Sequence, residues 1–312
     1  MKVNFEYQHI GGKKMFQSLE YKEYRRKWKQ NPQSFIVEPF PLFLDIDITN
    51  VCNLSCLFCS RQIIKRKCNK FMSFETVKKV IDEGSQNNLY GVKFNILAEP
   101  LMHPELVNFV KYAKDKKLID VYFNTNATLL TKNISRKLIK AKLNRISISF
   151  EGYTKEIYER YRVGANFENV VQNIKTLQKE KIKLNSKVPK VRIQTISLPD
   201  VDIEEYKKYW INIVDEVGVL KYQPRTEEMK HFKSNWICSQ LWQRMGIMVD
   251  GTIIPCNHDE NCLSSLGNIS QTTIKEAWNS DKLNLIRKQH KNCDAHLLKS
   301  CNNCYLRQSE II

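Results

Sequence analysis

LFLDIDI (42–48), a β-rich apolar run, is followed at once by TNVCNLSCLFCSR (49–61). This second stretch places Cys52, Cys56 and Cys59 at spacings of four and three. Structural zinc sites are closed by four protein ligands, and four-iron clusters are ordinarily held by four thiolates. A loop that supplies only three thiols leaves one metal open to an exogenous ligand. The sequence therefore predicts a reactive metal centre behind the first strand.

Outward from this stretch, strand-like and helix-like segments alternate along the chain. The strand-like runs are LFLDIDI (42–48), VKFNIL (92–97), IDVYFNT (119–125), RISISF (145–150), VRIQTI (191–196) and VLKYQ (219–223). Six such units in succession predict an α/β fold with parallel strands, either open or curled into a partial (βα)6 barrel. Ligands bind at the carboxyl ends of the strands in such sheets. The three-cysteine loop is predicted to lie at that end.

The pattern changes near residue 235. GIMVDGTIIPC (246–256) predicts a hairpin with a type I′ turn at Asp250-Gly251. TIKEAWNSDKLNLIRKQ (273–289) predicts a helix, and the chain ends in a small cysteine-bearing module too thin to fold without a staple. We expect three parts: an N-terminal leader with a helix, a core, and a cysteine-rich module, at residues 1–40, 41–234 and 235–312.

The composition narrows the environment and the partners. No signal peptide or apolar run of about 18 residues occurs, which indicates a cytoplasmic protein without a membrane partner. In a reducing compartment, ten cysteines indicate metal or redox roles and not disulfides. A net charge of +17 favours an acidic partner such as a nucleic acid, an anionic lipid surface or a phosphorylated small molecule. Alternatively, the lysines are spread over solvated helix faces.

CNLSCLFC (52–59) has CxxxCxxC spacing with Phe58 before the third cysteine, and it resembles the radical S-adenosylmethionine (SAM) enzymes. The resemblance implies a 4Fe-4S cluster on the three cysteines, whose fourth iron binds the amino and carboxylate groups of SAM. It also implies reductive cleavage of SAM to a 5′-deoxyadenosyl radical that takes a hydrogen atom from substrate. A chance spacing, or a zinc site with a distant fourth ligand, is the alternative.

Further segments resemble this family in the same order along the chain. They are AEPLMHP (98–104), NTNATLL (124–130), ISISFEG (146–152) and YERYRVGANFENVVQNI (158–174). The resemblance implies that Glu99 binds the SAM amino group and that Arg162 meets the SAM carboxylate. The residues expected to contact SAM are Phe58, Glu99, Asn126, Ser149, Arg162 and Gln194. Ala98 replaces the usual glycine, and Glu151 stands where aspartate is common.

The second group of cysteines forms a C-x12-G-x4-C pattern followed by CNNC (301–304). With the segments around it, this group resembles the SPASM/twitch extension of radical SAM enzymes. The cysteines are too few for the two-cluster, seven-cysteine type, so the resemblance is to the single-cluster type of the aminocyclitol dehydrogenases. It implies one auxiliary 4Fe-4S cluster on Cys238, Cys256, Cys301 and Cys304. A structural zinc ion on the same four residues is the physical alternative.

Several reactive residues have no place in these patterns. The remaining cysteines are Cys68, Cys262 and Cys293, and their ordinary role is as buried or bystander residues. Among them Cys262 is the candidate for a thiol that donates a hydrogen atom to a substrate radical. Side chains that could face substrate are Arg225, His231 and His258, although each could equally be a surface residue.

The predicted reaction is oxidation or epimerisation of a small, anionic, carbohydrate-type substrate, such as a phosphorylated or nucleotide-linked sugar. An electron donor such as flavodoxin or ferredoxin is expected, and a nucleic-acid partner is not. One alternative is a peptide-modifying radical SAM/SPASM enzyme that crosslinks or epimerises residues. Another is a non-catalytic metal-binding protein that binds RNA through its basic surface. Family resemblance alone does not choose among these functions.

Overall fold

A computed structural model describes residues 9–12, 18–62, 64, 70–221, 236–302 and 304–307. The strands are β1 His9–Gly12, β2 Phe43–Ile46, β3 Gly91–Lys93, β4 Asp120–Thr125, β5 Arg145–Ser149, β6 Lys190–Ser197, β7 Glu216–Lys221, β8 Arg244–Ile247 and β9 Ile253–Ile254. The α-helices are α1 Leu19–Ser34, α2 Phe74–Gln86, α3 Leu106–Asp115, α4 Lys132–Lys140, α5 Lys155–Tyr161, α6 Phe167–Lys183, α7 Ile203–Trp210, α8 Ile274–Asn279, α9 Asp281–Lys291 and α10 Lys299–Asn302. Short 3-10 helices span Ser60–Gln62, Pro100–Met102, Ser239–Trp242, Ala295–Leu297 and Tyr305–Arg307.

The strands form one sheet in the order β1-β7-β6-β5-β4-β3-β2-β8-β9. Neighbouring strands from β7 through β2 to β8 are parallel, whereas β1 and β9 pair antiparallel at the two edges. The described edge strands do not pair with each other, so the sheet is open. The predicted α/β fold with parallel strands and a C-terminal hairpin is confirmed, whereas the single helix predicted over 273–289 is divided at Ser280, whose ψ of 150° ends α8 and whose side chain caps α9.

The strand predicted over residues 92–97 ends early, after Lys93. The backbone N–H groups of Ile96 and Leu97 donate to the carboxylate of Asp47, at 3.0 and 3.2 Å. These amides are therefore satisfied by a side chain and do not extend a strand ladder. The early end of β3 brings the following loop close to the end of β2.

The two faces of the sheet differ in chemistry because side chains alternate along each strand. One face carries apolar residues that are fully buried in the core shared with the helices, among them Leu44, Val92, Ile146 and Ile193. Each buried aliphatic side chain of this kind contributes roughly 1.5–3 kcal/mol. This face supplies the hydrophobic core of the fold.

The other face carries buried charges that are paired with one another. Asp45 on β2 contacts Lys93 Nζ at 2.7 Å and Arg244 Nη1 at 3.2 Å. Arg145 on β5 contacts Asp120 on β4 at 2.7 Å. Pairing offsets the cost of burying these charges. The paired charges therefore lie on the polar face, and the predicted site residues come after them, near the carboxyl ends of the strands.

Helix α1 covers the amino-terminal end of this polar face. Tyr24 is 1% exposed and stacks on Tyr90, which directly precedes β3, with ring centroids 5.1 Å apart. Trp28 packs edge-on against Phe43, the first residue of β2, at 6.0 Å. The Trp28 carbonyl also accepts a hydrogen bond from Gln243 Nε2 at 2.7 Å. The predicted N-terminal helix thus closes the end of the sheet opposite to the cysteine loop.

The predicted hairpin is formed by β8 and β9, which pair antiparallel. Strand β8 also pairs in parallel with β2. The predicted type I′ turn is wrong, because such a turn needs positive φ at both central residues and only Gly251 of the pair has it, at 83°. Gly251 N donates to Met248 O at 2.8 Å and closes the turn. A Cβ at Gly251 would lie 2.9 Å from Asn268 Oδ1, so glycine is required there on two grounds.

None of the helices in the described ranges has the length and apolar character needed to span a bilayer.

Candidate functional site

The three-cysteine loop follows β2 and is fixed to the end of α5. Ser55 N donates to Val163 O at 3.0 Å, and Leu57 N donates to Tyr161 O at 3.2 Å. Cys56 is buried, whereas Cys52 and Cys59 are partly exposed, and none of the three forms a disulfide. The backbone bonds therefore hold the loop in place without a disulfide.

The thiols of this loop are close enough to influence one another. Burial raises the pKa of the Cys52 thiol, and the negative charges of Glu99 and Cys56 raise it further. Burial also raises the pKa of Cys56, while the Arg162 guanidinium opposes that rise. Metal binding requires thiolates. A cation or cluster at this loop would therefore offset the cost of ionising these buried thiols.

Glu99 is buried at the end of the loop between β3 and the 3-10 helix Pro100–Met102, with 2% of its surface exposed. Its carboxylate accepts hydrogen bonds from Thr125 Oγ1 at 2.7 Å, Asn126 N at 2.7 Å and Leu101 N at 3.0 Å. Burial raises the pKa of Glu99 to about 7. An ionised carboxylate has about four lone-pair positions, and three are used here. One acceptor position remains for a ligand with an N–H or O–H group.

Asn126 connects the loop after β4 to the cysteine loop. Its Nδ2 donates to Asn53 Oδ1 at 3.0 Å, and Asn53 is the residue after Cys52. Its backbone N–H donates to Glu99, as above. The structure therefore brings Glu99, Asn126 and the cysteine loop together, as the order of the motifs predicts.

Arg162 ends α5 and contacts both the cysteine loop and the loop after β5. Its Nε and Nη2 donate to the two carboxylate oxygens of Glu151, with 2.9 Å between Nη2 and Oε1. Its Nη1 lies 3.6 Å from Cys56 Sγ, and its guanidinium lies over the Phe58 ring, 5.2 Å from the centroid. The bidentate carboxylate partner of Arg162 in this structure is therefore Glu151.

Ser149, the last residue of β5, is the register partner of Gln194 in the middle of β6. Gln194 Oε1 accepts a hydrogen bond from Ser147 Oγ at 3.1 Å, and the Gln194 carbonyl accepts one from Phe150 N at 2.9 Å. Both residues are partly exposed. They flank the strand end that leads to Glu151, and their predicted contact with SAM stays a prediction.

The four auxiliary cysteines also come together. Cys238 precedes β8 and Cys256 follows β9, so the hairpin places them side by side, while Cys304 N donates to Cys301 O at 3.2 Å. Burial raises the pKa of the Cys256 thiol well above its usual value, and the charges of Cys238, Cys301 and Cys304 raise it further. The other three thiols therefore lie close enough to Cys256 for their charges to act on it.

His290, on α9, was not among the predicted site residues. Its Nε2 lies 3.4 Å from Cys301 Sγ, and its Nδ1 accepts a hydrogen bond from Cys238 N at 3.3 Å. No signal in the sequence spacing marks this contact, since the histidine lies 52 residues from Cys238. It became a candidate only through the packing of α9 against the cysteines.

Asp47 is the second residue that the sequence prediction omitted. It is fully buried, and its Oδ2 has no hydrogen-bond partner in the described part of the chain. Burial raises the pKa of Asp47 to about 6, and the negative charge of Glu260 in the cysteine-rich module adds to that rise. A usable signal was present, because Asp45 and Asp47 interrupt an apolar strand at alternate positions.

The remaining predicted residues are Arg225, His231, Cys68, Cys262, His258 and Cys293. Arg225, His231 and Cys68 lie outside the described residues. Cys262 adopts a left-handed φ of 56° in a turn closed by its N–H on Asp259 O at 2.8 Å. His258 is partly exposed on the same loop. Cys293 ends α9 with φ 65°, a helix-terminating geometry. Their functional roles stay predictions.

The donor sets fit iron–sulfur clusters chemically. Soft thiolates select zinc or iron–sulfur centres, and a four-iron cluster takes one thiolate for each protein-ligated iron. Over the described ranges, no three His, Cys, Asp or Glu side chains are gathered as ligands of a single metal ion. A cluster needs no such gathering, because each of its thiolates binds a different iron. Three thiols with an adjacent ligand-accepting carboxylate and a separate group of four thiols match an open and a closed cluster site.

Comparison with known families gives two matches. Residues 46–209, more than half of the chain, match the family described as the radical SAM superfamily. Residues 238–305 match SPASM, an iron–sulfur cluster-binding domain.

Among curated proteins, a probable GTP 3′,8-cyclase of Methanocaldococcus jannaschii is 26% identical over 192 residues, covering 62% of this chain and 62% of that protein. The match therefore spans less than two thirds of this relative. Among solved structures, BtrN in complex with AdoMet and 2-DOIA has a TM-score of 0.59 at 18% identity and covers 86% of this chain and 94% of its own. Streptococcus suis SuiB bound to precursor peptide SuiA has a TM-score of 0.64 at 16% identity, covering 96% and 78%. These two structures share the fold.

Proposed function

Because the chain belongs to the radical SAM superfamily, we propose that it cleaves SAM reductively and abstracts a hydrogen atom from a small, anionic, carbohydrate-type substrate. The outcome that we propose is oxidation or epimerisation at the attacked carbon. The two family matches confirm the predicted cofactors, which are 4Fe-4S clusters and SAM. The identity of the substrate and the course of the reaction belong to the proposal.

In this proposal Cys52, Cys56 and Cys59 hold the cluster that binds SAM. When bound, the cluster and SAM supply one-electron cleavage chemistry and hydrogen-atom abstraction from carbon. The three cysteines form no disulfide, and the loop that carries them is fixed by backbone hydrogen bonds to the end of α5. The chain thus holds its donors in place before any cofactor binds.

Glu99 and Arg162 orient SAM in this proposal. The fourth lone-pair position of Glu99 accepts from the SAM ammonium group, while the other three stay on Thr125, Asn126 and Leu101. Arg162 keeps a positive charge beside Cys56, because Glu151 holds two of its nitrogens. The convergence of a buried acceptor and a buried cation on the three-cysteine loop is the observation that carries the proposal.

The four thiols of Cys238, Cys256, Cys301 and Cys304 hold the auxiliary cluster in this proposal. Their mutual electrostatic influence around Cys256 supports a shared ligand. A zinc ion on the same residues is the alternative, since four thiolates suit either centre. Metal analysis of the purified protein separates them, because zinc would replace about four of the irons.

An anionic substrate suits the net charge of +17. The curated relative is named for GTP, an anionic nucleotide, and the BtrN structure contains 2-DOIA together with AdoMet. Peptide modification is the second candidate, because SuiB, which covers 96% of this chain, was solved with a precursor peptide. An RNA-binding protein without catalysis would explain the charge but not the arrangement of Glu99 and Arg162 around the thiols.

We further propose that a small acidic electron carrier such as flavodoxin or ferredoxin reduces the clusters. Free thiols persist as metal ligands in a reducing compartment, so we place the enzyme in the cytoplasm.

The test is anaerobic reconstitution with iron and sulfide, followed by addition of SAM and dithionite. We expect about eight irons per chain and formation of 5′-deoxyadenosine. Substrates are then compared by their stimulation of that product, with GTP, a nucleotide-linked sugar, an aminocyclitol and a short peptide in parallel. A protein with about eight irons that never forms 5′-deoxyadenosine contradicts the proposal and favours the non-catalytic alternative. Stimulation by the peptide alone favours the second candidate.

A further inference from the structure

His290 is a fully buried side chain that bridges two of the proposed auxiliary-cluster ligands. Its Nδ1 accepts a hydrogen bond from the Cys238 backbone N–H at 3.3 Å. Its Nε2 lies 3.4 Å from Cys301 Sγ. The ring also packs against Trp236, with centroids 5.4 Å apart. One imidazole therefore contacts both Cys238, the first of the four auxiliary cysteines in the chain, and Cys301 near the carboxyl terminus.

The contact with Cys238 fixes the tautomer of the ring. A backbone N–H can only donate, so Nδ1 carries no proton in this geometry. The single proton of the neutral ring is then on Nε2, the nitrogen that faces Cys301 Sγ. The Nε2–H group therefore points at the sulfur as a donor.

Hydrogen bonds to the sulfurs of an iron–sulfur cluster help to set its reduction potential. Reduction adds negative charge to the cluster and its thiolates, and a donor aimed at a thiolate stabilises that charge. A group behind the ligands also fixes their orientation. Both effects depend on the Nε2–H bond and not on the bulk of the ring.

We propose that His290 is a positioning residue of the auxiliary cluster, whose Nε2–H donates to the Cys301 thiolate and raises the reduction potential of that cluster. The inference rests on the proposed function, since it requires an auxiliary cluster on Cys301. It adds a residue to that site and assigns it a redox role.

The test uses the full chain with both clusters reconstituted and a pair of substitutions that separate the two nitrogens. His290→Gln can keep an N–H near the Nε2 position, whereas His290→Asn can keep the acceptor near Nδ1 and lacks the donor. His296→Asn, at an exposed histidine of the same module, is the matched control. Midpoint potentials are measured by redox titration followed by EPR, and addition of SAM identifies the signal of the SAM-binding cluster.

For His290→Asn we expect the ratio of reduced to oxidised auxiliary cluster at a fixed potential to fall tenfold, a shift of about 59 mV for one electron. His290→Gln and His296→Asn keep the auxiliary potential near wild type, and the SAM-binding cluster is unchanged throughout. Equal shifts in the Asn and Gln variants, or a shift in neither, overturn the inference. Should His290→Asn fail to bind its cluster, His290→Leu replaces it as the variant without a donor: a lowered potential in His290→Leu with an unchanged one in His290→Gln supports the inference, and equal potentials in these two variants overturn it.

The proposed function is read separately in the same samples. Wild-type protein that forms 5′-deoxyadenosine but has a single redox-active cluster overturns the inference about His290 and leaves SAM cleavage in place. Protein with two clusters and no 5′-deoxyadenosine contradicts the proposed enzyme, while the potentials still test His290.

Discussion

Around residues 52–59 a charged side chain contacts a thiol, whereas around residues 238–304 the contacting group is a neutral imidazole. Arg162, paired with Glu151, directs Nη1 to Cys56 Sγ at 3.6 Å. His290, fixed by the Cys238 backbone, directs Nε2 to Cys301 Sγ at 3.4 Å. Both donors face sulfur, but only the first brings a full positive charge.

This difference matches what each site has to bind. A site open to SAM must accommodate a ligand with its own charged groups, so a guanidinium and a carboxylate nearby can be matched by the ligand. A closed site with four thiolates needs only hydrogen bonds that adjust the cluster. The two groups of cysteines therefore differ in the side chains that contact them as much as in the number of thiols.

The largest effect is expected from removing the thiols of either group. Replacing Cys52, Cys56 and Cys59 by alanine should abolish 5′-deoxyadenosine formation and leave about four irons. The matched replacement of Cys238, Cys256, Cys301 and Cys304 should also leave about four irons but retain SAM cleavage. Iron analysis and product chromatography measure both. Persistent cleavage in the first variant would remove the distinction between an open and a closed site.

The next effect concerns the buried charge pair of the first group. Glu151→Gln keeps the shape of the side chain but leaves the Arg162 guanidinium without its ionic partner. Breaking a buried pair costs about 3–5 kcal/mol, so the free energy of unfolding should fall by about that amount in anaerobic denaturant titrations. Glu156→Gln, at an exposed position of α5, serves as the control. An effect no larger than that of the control would contradict the importance of charge at this site.

The buried Asp47, whose pKa is affected by Glu260 of the cysteine-rich module, gives a prediction of how stability depends on pH. Its unfolded-state pKa of 3.8 lies below the folded value of about 6. The folded protein therefore binds more protons between these values, and stability is lost as the pH rises from about 4 to about 6. The difference between pKa values of 3.8 and about 6 corresponds to about 3 kcal/mol in the free energy of unfolding.

Asp47→Asn should therefore raise the free energy of unfolding by up to about 3 kcal/mol at about pH 8 and change it little at about pH 4. The introduced carboxamide keeps an oxygen for the Ile96 and Leu97 amides. Denaturation at several pH values measures the difference. Asp45→Asn should do the opposite at neutral pH, because Asp45 is paired with Lys93 and Arg244. The same pH profile in wild type and Asp47→Asn would refute the assignment.

The smallest effect is expected at Ser300, the second neutral donor near the auxiliary thiols. Its Oγ lies 3.7 Å from Cys301 Sγ and 2.7 Å from Ser264 Oγ. Ser300→Ala should lower stability by about 0.5–1.5 kcal/mol and shift the auxiliary potential less than His290→Asn does. Ser270→Ala, which also loses one side-chain hydrogen bond but far from the thiols, controls for that loss. A shift equal to that of His290→Asn would show that the hydroxyl and not the imidazole is the main donor.

Much of the fold was predictable because it follows from local periodicity. Alternating strand-like and helix-like runs located the parallel strands, and the thiol spacings located both cysteine groups. The turn at Asp250-Gly251 was located correctly but assigned the wrong type. Its geometry depends on Asn268, which packs beside Gly251 and belongs to a distant part of the chain. The early end of β3 has a similar cause, since its amides bond to Asp47.

The sequence by itself determined the order of the strands along the chain, the two sets of thiols and the residues of the SAM-binding motifs, because these depend on spacing and side-chain chemistry. Only the tertiary structure decided that Glu151 pairs with Arg162, that His290 faces Cys301, and that Asp47 is buried with one oxygen unbonded among the described residues. These contacts join different elements of the fold, and their distances and directions are set by how the helices, strands and loops pack. Packing therefore determines that Cys56 Sγ is contacted by a charged donor and Cys301 Sγ by a neutral one.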